Sequence, residues 1–135
     1  MQSDRFRRQR IVLIAGDIIV FVLVTVFGFS THGTLGTAGL RILAIFVPFT
    51  LAWFAVGPLM GVYRFEIVQK PAWLWVPAWA TLVAAPLAIL LRAIILNVPI
   101  LPLFVLIMGG VSAAGILIWR GLFYWFSVRR SQFNG

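Results

Sequence analysis

Two charged side chains stand deep inside apolar runs of this chain, Asp17 in the first and Arg120 in the last, and both are costly there without a partner or water. Asp17 follows Ile11, where the first apolar run begins, by six residues, about 9 Å at 1.5 Å per helical residue. Arg120 precedes Val128, the end of the fourth run, by eight residues, about 12 Å from the same side by the same rise. Helical periodicity places Arg120 on a stripe with Gly109, Ala113, Ile116 and Tyr124, and Asp17 on one with Leu13, Phe21, Val24 and Gly28. Matching depth and opposite charge predict an Asp17–Arg120 ion pair between the first and fourth helices. Such a pair has two readings: a lock in which the charges neutralise each other, or a relay for protons or ions.

A second group lies toward the opposite ends of the runs. His32 sits in a Gly/Thr-rich loop, Arg41 opens the second run, and Arg92 lies four residues inside the end of the third, within reach of water by snorkelling. Together they would form a cationic outer mouth suited to an anion; the plainer reading is a solvated His32 and an Arg92 bonded to loop carbonyls. One histidine cannot build a metal site, and Asp17 is on the wrong side to help. With no cysteine there is no thiolate ligand or nucleophile. No Ser/His/acid set falls on one side, and neither G-x-S-x-G nor a phosphate loop occurs. The expectation is therefore no catalytic residue, no cofactor and no metal, hence no enzyme.

Four elements must hold these residues. Of 135 residues, 62% are hydrophobic and 10% charged, beyond the apolar share of a soluble domain. At roughly 20 residues per crossing, the length suits one domain, 1–135, with four transmembrane helices and short connections. The expected class is all-α, a polytopic four-helix bundle with approximate helices 11–29, 40–62, 72–96 and 100–128. Between them, 30–39 (STHGTLGTAG) reads as a loop, 63–71 (YRFEIVQKP) as a short charged turn, and 97–99 as a break. Pro48 and Pro58 fall inside the second run, Pro77 and Pro86 interrupt the third, and Pro99 and Pro102 suit the opening of the fourth. The Arg-rich start resembles a signal peptide, but the length of its apolar run, Asp17, and the lack of an A-x-A site predict a retained helix.

Charge sets the expected orientation. Arg5, Arg7, Arg8, Arg10, Arg64, Lys70, Arg129 and Arg130 fall on one side and Arg41 on the other, which makes both ends cytoplasmic in a multi-pass protein of the cell inner (plasma) membrane. The net charge of +8 then faces anionic lipid headgroups; nucleic acid is not expected, because no basic face with interleaved aromatics is present. Tyr63, Trp73, Trp75, Tyr124 and Trp125 would lie near the same interface as an aromatic belt.

The order of features resembles a family of small bacterial and archaeal membrane proteins filed as domain of unknown function 3054. The resemblance spans about 17–123: Asp17 in the first helix, a Thr31-His32-Gly33 turn, Pro48-Phe49 followed by Trp53, then Leu91-Arg92, Phe104 and Trp119-Arg120. Where that family usually has basic residues before the His turn, this chain has Phe29 and Ser30. The resemblance implies four helices and no known activity.

Two functions remain in view. The first is a non-catalytic protein that packs against other membrane helices, as a homo-oligomer or a small accessory subunit, using the Gly109/Ala113 and Gly110/Ala114 pairs. The alternative is a small transporter or channel with Asp17 as its titrating group. A wet cavity with an unpaired Asp17 would favour transport; a dry bundle would favour packing.

Overall fold

The computed structural model describes residues 2–31 and 39–130. Their regular structure is helical: α1 (Gln2–Thr31), α2 (Leu40–Met60), α3 (Phe65–Gln69), a 3-10 turn (Pro71–Trp73), α4 (Trp75–Leu96), α5 (Pro102–Phe123) and a π-helical turn (Tyr124–Arg129). Among the described residues, four helices are long and apolar enough to cross a membrane, over Ser3–Gly28, Leu40–Met60, Trp75–Leu96 and Pro102–Phe126.

The boundaries differ from the sequence expectation for local reasons. α1 begins at Gln2 rather than 11, because its Arg-rich start is made of good helix formers with Asp4 in the favourable first turn, and apolar content does not register them. α2 stops at Met60 rather than 62. Gly61 takes a left-handed conformation (φ 76°) and donates its N–H to Pro58 O at 3.1 Å, while Val62 N–H donates to Gly57 O at 3.1 Å, the paired bonds of a Schellman cap. α4 starts at Trp75 rather than 72, so Pro77 falls in the first turn and Pro86 is its one interior proline. α5 starts at Pro102 rather than 100, with proline at the position where a missing N–H costs nothing. Its α-helical part ends at Phe123, and the remainder of the expected helix is the π turn.

The segment 63–71 also departs from a simple turn. It holds α3 and leads into the 3-10 turn, and Val68 of α3 is buried with Leu13 of α1 and Phe123 of α5. Phe6 of α1 meets Phe65 edge-on, ring centroids 5.1 Å apart. The α2–α4 connection thus lies across one end of the bundle and closes it.

The four long helices form a ring in which α1 neighbours α2, α2 neighbours α4, α4 neighbours α5, and α5 returns to α1. The α2–α4 and α4–α5 contacts are the most extensive, because α4 turns a face of Ala80, Ala84, Ala85 and Ala88 inward. Small side chains let helix backbones approach closely. A Cβ added to Gly109 would lie 3.1 Å from Ala85 Cβ. Phe21, Phe49 and Trp53 fill the space between α1 and α2. The outward faces carry large apolar side chains such as Leu51, Leu59, Ile94, Leu103 and Ile118, as lipid-facing surfaces do.

Candidate functional site

At the Arg-rich end of the ring, one to two turns below the end closed by α3, the structure brings Asp17 and Arg120 together. Both are buried, at 0% and 4% exposure. The guanidinium grips the carboxylate with two donors, Nη2 to Oδ2 at 2.8 Å and Nε to Oδ1 at 3.3 Å. This forked geometry is the strong form of a charge-assisted hydrogen bond. The third arm, Nη1, donates to the Val62 backbone carbonyl at 3.0 Å. That carbonyl is free because the Gly61 cap has just ended α2, so the early stop of the helix supplies the arginine with an acceptor.

Tyr63 completes the acid's surroundings. Its hydroxyl donates to Asp17 Oδ2 at 2.6 Å and accepts from the Trp53 indole N–H at 2.9 Å. Burial first, and then the neighbouring Asp17 carboxylate, push the Tyr63 phenol well above its ordinary range, which keeps the proton that makes the bond. The Arg120 guanidinium also lies over the Tyr63 ring, 5.1 Å from its centroid. A continuous chain therefore runs from Trp53 through Tyr63 and Asp17 to Arg120 and the Val62 carbonyl. It ties α1, α2, the connection after α2, and α5 into one polar layer.

Close packing surrounds this layer. Trp119 lies flat against α1 where there is no side chain: a Cβ on Gly16 would sit 2.0 Å from Trp119 Cζ2. The Trp119 Nε1 is buried and closes no hydrogen bond. On the side toward the bundle centre stand Phe21, Phe49 and Trp53; on the side toward α3 stand Leu13, Val68 and Phe123. Both oxygens of Asp17 and all three nitrogens of Arg120 are engaged by protein groups.

The outer-mouth group of His32, Arg41 and Arg92 lies partly outside the described residues. His32 lies outside the described residues. Arg41 is exposed near the start of α2, and Arg92 is half-buried in the last turns of α4 with its Nε unpartnered. Neither touches the Asp17 layer. Gly109 and Ala113 face inward against α4, whereas Gly110 and Ala114, one position on, are exposed; a Cβ on Gly110 would meet nothing within 4 Å. Among the described residues no cluster of three His, Cys, Asp or Glu could hold a metal ion.

Tyr63, Trp53, Trp119 and the Val62 carbonyl are members of the layer that depth and charge alone do not pick out. Tyr63 reads in the sequence as a belt aromatic like Trp73, Trp75 and Trp125. Those three tryptophans are exposed while Tyr63 turns inward. The legible signal is its position: a Gly-Val-Tyr immediately after an apolar helix containing Pro58 marks a chain that has just turned back on the bundle.

A family model described as "Protein of unknown function (DUF3054)" matches residues 14–123, and the chain belongs to that family. The match contains every residue of the Asp17 layer. No curated protein and no solved structure matches the chain.

Proposed function

We propose that this member of the DUF3054 family is a non-catalytic multi-pass protein of the cell inner membrane, both termini cytoplasmic, that works by packing against other membrane helices. It does so as a homo-oligomer or as a small accessory subunit of a membrane complex. The observation that carries the reading is the saturation of Asp17. A carboxylate held by a forked arginine and a tyrosine, between two apolar layers, is a fastener between helices. A carrier site needs a group that water or substrate can reach.

Two further features support the reading. The outer face of α5 presents Gly110 and Ala114 between Leu106, Ile107, Val111, Leu117 and Ile118, small residues one turn apart on an exposed apolar face. Arg5, Arg7, Arg8, Arg10, Arg64, Lys70, Arg129 and Arg130 flank the end closed by α3, which supports cytoplasmic placement of that end against anionic lipid.

The test is reconstitution into liposomes with a proton-sensitive interior dye, alongside crosslinking of the native protein in its own membrane. The expected outcome is no proton-coupled flux and a crosslinked product larger than the monomer. A flux that disappears on Asp17→Asn while thermal stability is unchanged would overturn the reading in favour of a carrier.

A further inference from the structure

Two arginines stand in the later half of a membrane-length helix, Arg120 in α5 and Arg92 in α4. Arg120 is saturated by Asp17 and the Val62 carbonyl, whereas Arg92 has no hydrogen bond or ion pair among the described residues. Its Nε is enclosed by protein without a partner. The side chain as a whole is half-buried, so the two Nη nitrogens are the part left at the surface. No acidic side chain of this protein can serve them. The sequence holds three, of which Asp17 belongs to Arg120, while Asp4 and Glu66 lie at the end closed by α3. Arg92 stands 17 residues past Trp75, about 26 Å along α4 from that end at 1.5 Å per residue.

An unpaired cation inside a span is costly, which makes its place on the helix informative. Arg92 continues the inward face of α4, four residues after Ala88, seven after Ala85 and eleven after Thr81, all of them buried. Ile95 and Leu96, three and four residues further along the same face, are 65% and 43% exposed. The inward face of α4 therefore opens to the surface within one turn beyond Arg92, at the end opposite α3. A helix packed on the outside of the ring does not meet that face; a small group arriving along the bundle axis from the open end does. The planar guanidinium fork matches the paired oxygens of an oxyanion, and the headgroup layer in which a span ends is rich in phosphate.

We propose that Arg92 is an anion-binding residue at the open end of the bundle and takes a phosphate-class oxyanion, its two Nη groups donating to two of the oxygens. A lipid headgroup and free phosphate share that chemistry. The two ends of the bundle then treat charge in opposite ways: the Asp17 layer is closed within the protein, and Arg92 is completed from outside it.

Solid-state NMR on the full chain, labelled in arginine, tests this through dephasing of the Arg92 Cζ resonance by phosphorus. The resonance is assigned in the wild-type protein through its own Nε and Cδ correlations. In phospholipid bilayers Arg92 Cζ is expected to be dephased if a headgroup fills the site. In bilayers of a phosphorus-free galactolipid, dephasing that appears on adding inorganic phosphate assigns the site to the soluble anion. Arg92→Gln, which breaks no bond within the protein, is expected to lose this signal while the other arginines keep theirs. An Arg92 resonance that is undephased in phospholipid and unchanged by inorganic phosphate would overturn the proposal, and would leave its guanidinium to water or to a carboxylate of another protein.

Discussion

Replacing Asp17, Arg120 or both by leucine separates the lock from its parts. Asp17→Leu leaves a guanidinium at 4% exposure with one neutral acceptor, the Val62 carbonyl, and strands the Tyr63 hydroxyl. Arg120→Leu leaves the carboxylate at 0% exposure with Tyr63 as its one donor. Breaking a buried pair in this way costs about 3–5 kcal/mol, while replacing both partners with apolar groups is often close to neutral. The double variant should therefore recover most of either single loss, with a coupling energy of about 3 kcal/mol or more. Tyr63→Phe removes two hydrogen bonds, the one given to Asp17 and the one accepted from Trp53; in membrane proteins such bonds average about 0.6 kcal/mol each, so its loss should be smaller than that of either charge variant. The assay is denaturing-detergent titration of purified protein followed by tryptophan fluorescence, with Trp53 in the network as a built-in reporter. Strict additivity of the two single losses would refute the reasoning, since contacting residues couple and independent ones do not.

Gly16→Ala should destabilise by about 1–3 kcal/mol through overpacking, because the new methyl lands within 2.0 Å of the Trp119 ring; Gly115→Ala, 3.0 Å from Val20 Cγ1, should cost less in the same titration. Gly110→Leu should leave the monomer within about 0.5 kcal/mol, as exposed sites do, yet reduce crosslinked product in native membranes, and unchanged crosslinking would remove Gly110 from any contact. Val68→Asp, which sets a charge against Leu13 and Phe123, should loosen the closed end and speed hydrogen exchange at the start of α1; protection equal to wild type would show that α3 is not a plug. Reporter fusions near Arg8, Gln69 and Gln132 should read cytoplasmic, and Cys at Thr34 or Asn97 should react with an impermeant thiol reagent only from outside. A periplasmic signal near Gln132 would exclude an even number of spans.

The four long helices were readable because lipid imposes a length and an apolarity that composition reports directly. Asp17 and Arg120 were readable for a related reason: charge is so costly in hydrocarbon that each position advertises a need, and equal depth names the partner. The residues that complete the layer answer to weaker constraints. Tyr63 and the Val62 carbonyl reach it through the Gly61 cap, and neither depth nor hydropathy encodes where a chain goes after a left-handed glycine. α3 was invisible because five residues are too few to show a period, and its buried Val68 and partly buried Ile67 are half hidden among charges. The first turns of α1 escaped because apolar content was the signal in use, and polar helix formers carry none. The small-residue stripe on α5 was visible, but only the ring order of helices tells which pair, Gly109/Ala113 or Gly110/Ala114, faces inward.

The Asp17–Arg120 bond joins residues 103 positions apart, in the first and last long helices. During synthesis the acid enters the bilayer long before its base has been translated, and of the two side chains that bond it Tyr63 is the first to arrive. Until α5 is made, the acid has Tyr63 but no base, a mark that separates an unfinished molecule from a finished one. Closure of the ring and pairing of that acid are one event. Any chain cut short before Arg120 keeps the mark, and membrane quality control has a chemical feature by which to recognise it.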